Sequence, residues 1–159
     1  MLPRSRKPGG DQTTNQELVQ RYVTAQAEFD YETLEKLRHA EWTATYPQSG
    51  ERLKSSAADR RMIETYPGGA PRLQAVGGRV VGTADRWVTT PLGGAYRVGG
   101  DGDNWWGEFR VVYPDRSTWF TVTLMELRDG KVWRETQYFA KPFEAPEWRR
   151  DLVERIDQP

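Results

Sequence analysis

Hydrophobic residues in the last third of the chain recur at every second position. From Trp105 to Tyr113 the set Trp105, Gly107, Phe109, Val111 and Tyr113 alternates with Trp106, Glu108, Arg110 and Val112, the period of a strand. Pro114-Asp115-Arg116-Ser117 reads as a turn, and Trp119 to Leu127 is dense in aromatic and β-branched residues. Asp129-Gly130 predicts a tight hairpin, because both residues tolerate the positive φ of a two-residue turn. Val132 to Phe139 is then the returning strand. Together these segments predict an antiparallel meander.

The first half of the chain keeps a different period. Leu18, Tyr22, Ala25 and Phe29 step along one face of a helix, with Thr13 or Thr14 as its cap and Glu17 completing a capping box. Asp30 caps a second helix over Tyr31 to Arg38, with Leu34 and Leu37 on one side. Glu41 to Tyr46 alternates Trp42, Ala44 and Tyr46 with Thr43 and Thr45 and stops at Pro47, the pattern of a short strand. Gln48 to Glu51 is a turn. Leu53 to Tyr66 predicts a third helix that buries Met62 and Ile63 and ends at Pro67-Gly68-Gly69. Between Leu73 and Val88 glycines interrupt an apolar run; a strand bent at a bulge is preferred over two strands meeting at a glycine turn. Ala95 to Val98 is a strand that runs into an open loop, and Pro146 to Ile156 predicts a final helix with Trp148, Leu152 and Ile156 on one face.

Helices first and a meander last is an α+β plan. Helices laid across the concave side of a curved antiparallel sheet enclose a cone, and such mouths form pockets.

Composition narrows the partners. The 159 residues are expected to form a disordered leader, 1–12, and one domain, 13–159. The chain has no cysteine, which removes thiol nucleophiles, thiolate metal sites and disulfides and fits a cytoplasmic setting. Basic and acidic residues number 23 each, so no net field would gather nucleic acid or an anionic membrane surface. No stretch approaches the roughly 18 apolar residues of a membrane span. Seven Trp and seven Tyr exceed what core packing asks of this length, which points to a pocket or a subunit interface.

Several segments, taken in this order, carry a resemblance: Tyr46-Pro47-Gln48-Ser49-Gly50-Glu51-Arg52, Tyr66-Pro67-Gly68-Gly69, Val112-Tyr113-Pro114-Asp115-Arg116-Ser117, Leu127-Arg128-Asp129-Gly130-Lys131-Val132, and Tyr138 to Arg149. The chain resembles the SnoaL-like branch of the nuclear transport factor two (NTF2-like) superfamily over almost everything after Gln12. The resemblance implies an α+β cone, a homodimer joined through the sheet, and a largely apolar cavity holding a few polar groups. It narrows function poorly, since this fold hosts isomerases, epoxide hydrolases, cyclases, dehydratases and proteins without known catalysis.

Enzymes of that superfamily carry a carboxylate or histidine on the late strands, pointing into the cone, where burial raises a carboxylate toward the range of a useful base. Strict alternation places Trp133, Glu135, Gln137 and Phe139 on one face of the last strand, expected to line the cavity. Gln137 then stands where catalytic members often carry an acid, and an amide cannot accept a proton at neutral pH. Glu135 is the remaining base; its alternative is a salt bridge with Arg110 or Arg134. Trp106, Glu108 and Arg110 would offer an acid and a donor to a ligand, or else form an exposed or dimer-facing ion pair. Thr121 and Thr123, on one face with Trp119, suit an apolar pocket with two hydroxyls or ordinary cross-strand packing. Trp42 and Tyr46 point the same way, and a Tyr46 hydroxyl inside a cone is an oxyanion donor or a satisfied core group. His39, the one histidine, is either a general base paired with Glu41 or Glu135 or a partner for the helix dipole. With one histidine and no cysteine no metal site is suggested, and no glycine-rich phosphate cradle is present, so no cofactor is expected.

Two functions follow. The first is a cofactor-independent acid/base enzyme, an isomerase, cyclase, dehydratase or hydrolase, acting on a small hydrophobic oxygenated molecule. The second is a noncatalytic binding or structural dimer of the same fold.

Overall fold

The computed structural model describes residues 14–74, 87–89 and 95–156. The expected leader and most of the bent strand, 75–86, lie outside the described residues. Helix α1, Asn15–Glu28, starts as its sequence dictates: Thr14 accepts from the Glu17 amide while the Glu17 carboxylate accepts from the Thr14 amide. It ends at Phe29, which takes a left-handed conformation (φ 53°), and Asp30 at once recaps α2, Tyr31–Leu37. Leu18, Val19, Tyr22 and Val23 of α1 and Leu34 and Leu37 of α2 enter the core.

The strands are β1 Arg38–Tyr46, β2 Glu51–Leu53, β3 Arg72–Gln74, β4 Trp87–Thr89, β5 Ala95–Asp101, β6 Asn104–Val112, β7 Thr118–Arg128 and β8 Lys131–Ala140. They form one eight-stranded sheet in the order β2-β1-β8-β7-β6-β5-β4, with β3 also on β6. All described pairs are antiparallel except β1 with β8. The meander is as read from the sequence: β7 returns through Asp129 (φ 54°) and Gly130 (φ 69°) into β8. The architecture is the curved α+β arrangement that the pattern predicts.

Four boundaries differ from expectation. Strand β1 starts at Arg38, so His39 lies on a strand and not at the end of a helix. Glu51–Leu53 pairs with β1, which shortens the third helix to α3, Ser56–Glu64, capped by Ser55. The glycine–aspartate stretch after Val98 is strand continuing to Asp101, then a tight turn into Asn104, and not an open loop. The last segment is a short 3-10 helix, Glu147–Leu152, whose apolar residues are exposed. No helix of the described residues is long and apolar enough to cross a membrane.

Candidate functional site

A cavity of about 490 Å³ opens between the inner face of the sheet and helices α1–α3. Period two decides which side chains reach it. On β6 the inner face is Trp105, Gly107, Phe109 and Val111; on β7 it is Thr121, Thr123 and Met125. Gly107 matters here, because a Cβ would stand 3.0 Å from the ring of Phe109, which forms part of the cavity wall. At the opposite side Gly68 (φ 81°) turns the chain against Pro114, where a Cβ would meet the proline ring at 3.0 Å. That turn sets Tyr66 beside Tyr113 (5.9 Å between ring centres), and Tyr113 packs edge-on to Trp119 at 5.5 Å. Tyr46 makes a similar edge contact with Phe139 at 5.9 Å. The mouth is therefore aromatic. Gln48 fixes it by exchanging two hydrogen bonds with the backbone of Phe139, donating to its carbonyl and accepting from its amide.

The floor is polar, and it is organised by Arg38. This guanidinium, its side chain 3% exposed, donates from Nε to the Tyr22 hydroxyl (2.8 Å), from one terminal nitrogen to Ser56 Oγ (2.7 Å), and from the other to Asp59 Oδ2 (2.7 Å). Ser56 and Asp59 are three apart on α3 and so share the face turned toward it. Arg38 also lies flat on Trp42, 3.8 Å from the ring centre, and spacing within β1 turns Arg38, Trp42, Ala44 and Tyr46 inward together. Burial disfavours its charge, but Tyr22, Glu135 and Asp59 outweigh that and hold Arg38 protonated.

Glu135 is 1% exposed and sits beneath this floor. Gln26 donates to its Oε1 (3.1 Å), Gln137 to its Oε2 (2.7 Å), and the Tyr22 hydroxyl bonds it as well. Burial pushes its carboxyl above the usual range, even though Arg38 and the Tyr22 bond pull the other way. The same burial, with the nearby Glu135, raises Tyr22. Burial likewise raises the Tyr46 phenol, so it stands in the cavity wall as a neutral donor.

The structure thus gathers Tyr46, Trp119, Thr121, Thr123, Gln137 and Phe139 of the sequence-derived set around the cavity. Glu135 is adjacent but screened by the two glutamines. The others lie elsewhere. Trp42 is a core residue under Arg38. Trp133 is the extra residue of a bulge: Val132 pairs with Leu127 and Arg134 with Glu126, so alternation slips and the indole leaves the inner face. It is held between Arg134 (3.7 Å) and Arg128 (4.4 Å). Trp106, Glu108 and Arg110 are on the outer face, opposite Leu124, Val122 and Phe120 of β7. His39 faces Arg128, Asp129 and the Glu41 amide, away from the cavity. Among the described residues no group of three His, Cys, Asp or Glu side chains is placed to hold a metal ion.

Sequence reasoning missed Arg38, Asp59, Gln26 and Tyr22. Each occupies a position that a helix or strand pattern reads as ordinary surface or core, and their meeting depends on how three separate elements, α1, β1 and α3, pack together. One signal was available: Arg38 follows the apolar Leu34 and Leu37 without a polar spacer, which puts it at the end of a buried face.

No protein-family model matches the chain, and no curated protein matches it either. Solved structures do. An NTF2-like protein of unknown function from Burkholderia xenovorans LB400 is 30% identical over 90% of this chain and 95% of its own, with a TM-score of 0.64. A candidate ketosteroid isomerase from Kribbella flavida is 23% identical over 91% of this chain and 90% of its own, with a TM-score of 0.67. An LEH-like epoxide hydrolase from M. tuberculosis is 16% identical over 79% of this chain and 81% of its own, with a TM-score of 0.52, a likeness of fold. Fold, motif order and the first of these similarities agree, and the chain belongs to the NTF2-like family.

Proposed function

We propose that this protein takes a small, hydrophobic, oxygenated molecule into the cone and acts on it by acid/base chemistry without a cofactor. One observation carries the reading. Two cavity-lining residues, Gln26 and Thr121, hold buried polar atoms, Gln26 Oε1 and Thr121 Oγ1, with no hydrogen-bond partner among the described residues. Buried polar atoms are normally satisfied, and a ligand hydroxyl or carbonyl would satisfy these two. The aromatic mouth accounts for the apolar part of such a ligand.

Two carboxylates line the cavity, Glu51 at an exposed position and Asp59 against Arg38, and Asp59, the one held in place by the floor, takes the role of proton acceptor. Its Oδ2 is fixed by Arg38, which orients the group and leaves a second oxygen to receive a proton. The Tyr46 hydroxyl donates to oxyanion charge as it develops, and Gln137 and the threonines orient the substrate. Glu135, with both oxygens occupied by amides, is a positioning residue for Gln26 and Gln137. A second copy of the chain would cover the outer face of the sheet, where Val122, Leu124 and Tyr138 are exposed.

The alternative of a noncatalytic binder draws support from that same screening of Glu135 and from the ion pair on Asp59. A thermal-shift screen with steroid enones, terpenoid epoxides and hydroxyquinones tests the shared part, since a ligand selective for the folded state must raise Tm. Silence across all three classes would sink the pocket reading. With a stabilising compound in hand, Asp59→Asn is expected to lower turnover by at least about 100-fold while the compound still binds. A compound that binds and is never converted favours the binder.

A further inference from the structure

The strongly exposed large apolar residues among those described fall into two groups. One is the outer sheet face, Val122, Leu124 and Tyr138, at 38–44% exposure. The other is the segment after β8, where Phe143, Trp148, Leu152 and Ile156 are 75–78% exposed. An apolar row at helical spacing ordinarily marks a buried face. Here Trp148 and Leu152 lie on a short 3-10 helix and Ile156 lies beyond it, all three turned to solvent, and the polar contacts of that helix among the described residues are local: Arg150 with Glu147 and with Asp151, and the Arg149 amide with the Pro146 carbonyl.

We propose that this segment is an arm exchanged between two copies, the arm of one lying across the outer sheet face of the other. The inference rests on the sheet-faced dimer proposed above and adds what completes it. Three features select a second copy as the occupant. The arm leaves the sheet at Ala140, directly opposite Phe120 and two residues from Tyr138, so it starts beside its own copy's patch and, in a face-to-face pair, within reach of the partner's. Its sixteen residues, 141–156, span up to about 50 Å when extended, against strand spacings of about 4.8 Å, which leaves ample reach for the partner's β7 and β8. Phe143 and Trp148 alone offer on the order of 300 Å². Doubled by symmetry and joined by Leu152, Ile156 and the sheet residues, the contact passes the roughly 1,000 Å² that a specific interface needs. The chain's formal charge of zero adds no repulsion between copies.

The chain has no cysteine, so introduced thiols report cleanly. Two full-length variants of different tag length, Leu124→Cys and Leu152→Cys, are mixed, allowed to exchange subunits and oxidised. The expected product is a 124–152 disulfide joining one chain of each length. In Leu124→Cys/Leu152→Cys on one chain, oxidation should give a covalent dimer; a covalent monomer would mean that the arm folds onto its own sheet and would overturn the exchange. Sedimentation equilibrium of Trp148→Asp/Leu152→Asp, whose side chains are exposed and do not support the fold, should show the dimer dissociation constant raised by at least about 100-fold. A dimer unchanged by that variant and lacking the 124–152 disulfide would remove the arm and leave the sheet contact standing. A monomeric wild-type chain would remove both.

Discussion

Two clusters in this protein are built from the same parts and do different things. On the inner face Arg38 lies on Trp42 and pairs with Asp59; on the outer face Arg128 lies over Trp133 and pairs with Glu41. The difference is water. The Arg38 side chain is 3% exposed and uses all three of its nitrogen atoms on protein partners, whereas Arg128 is 37% exposed and shares solvent with Glu41, Asp129 and His39. Removing one partner from the first leaves an uncompensated buried charge, and removing one from the second lets water take its place. Geometry that looks alike therefore carries unlike energies, and only the buried cluster can shape a binding site.

The largest effect expected is that of Arg38→Ala. It strands Asp59 and Glu135 beside a buried Tyr22, and chemical denaturation should show a loss of about 3–5 kcal/mol. Arg38→Lys should recover little of it, because a point charge cannot serve Tyr22, Ser56 and Asp59 in the planar fork that they require. A loss under about 1 kcal/mol for Arg38→Ala would place the cluster with the exposed kind.

Next is Glu135→Gln, whose effect depends on pH. The folded-state pKa of Glu135 is raised. Its contribution is therefore present below the unfolded-state value and is lost as pH rises through the folded-state value. The neutral amide escapes that loss. Relative to wild type, the variant should gain stability as pH rises above the ordinary carboxylate range, as followed by denaturant midpoints; a difference independent of pH would show that Glu135 ionises without cost. Glu41 has the opposite sign. Arg128, by hydrogen bond and by charge, holds its carboxyl below the usual range, so its share of stability is present at neutral pH and is lost on acidification. The smallest effect is expected for Arg128→Ala, a slight drop in Tm that vanishes in molar salt. Persistence of that drop in salt would mean that the stack on Trp133, not the ion pair, is what matters.

The fold was legible because its signals are local. Capping at Thr14 and Glu17, the period of two from Trp105 to Leu127, and the Asp129-Gly130 turn each need only neighbouring residues, and each is as read. The site was legible in part. Thr121, Thr123, Gln137 and Phe139 reach the cavity because β7 and β8 keep their alternation there. Trp133 does not, since a bulge one register step earlier cannot be seen in a pattern of residue types. The final segment shows the same limit: Trp148, Leu152 and Ile156 have helical spacing, but only a short 3-10 helix forms there, ending at Leu152, and all three side chains are exposed.

By itself the sequence determined the order of helices and strands, the meander, the aromatic richness of the mouth and membership of a family, since each depends on local propensity or on residue identity alone. Only the tertiary structure decided that Asp59 lines the cavity and Glu135 does not. Glu135 lies on the expected strand and face, yet Gln26 from α1 and Gln137 from its own strand close over it, while Asp59 arrives from α3 on the strength of its pairing with Arg38. Burial and pairing are properties of the assembled set, because a carboxylate's solvation depends on every element that packs against it, and no stretch of the chain contains that information alone.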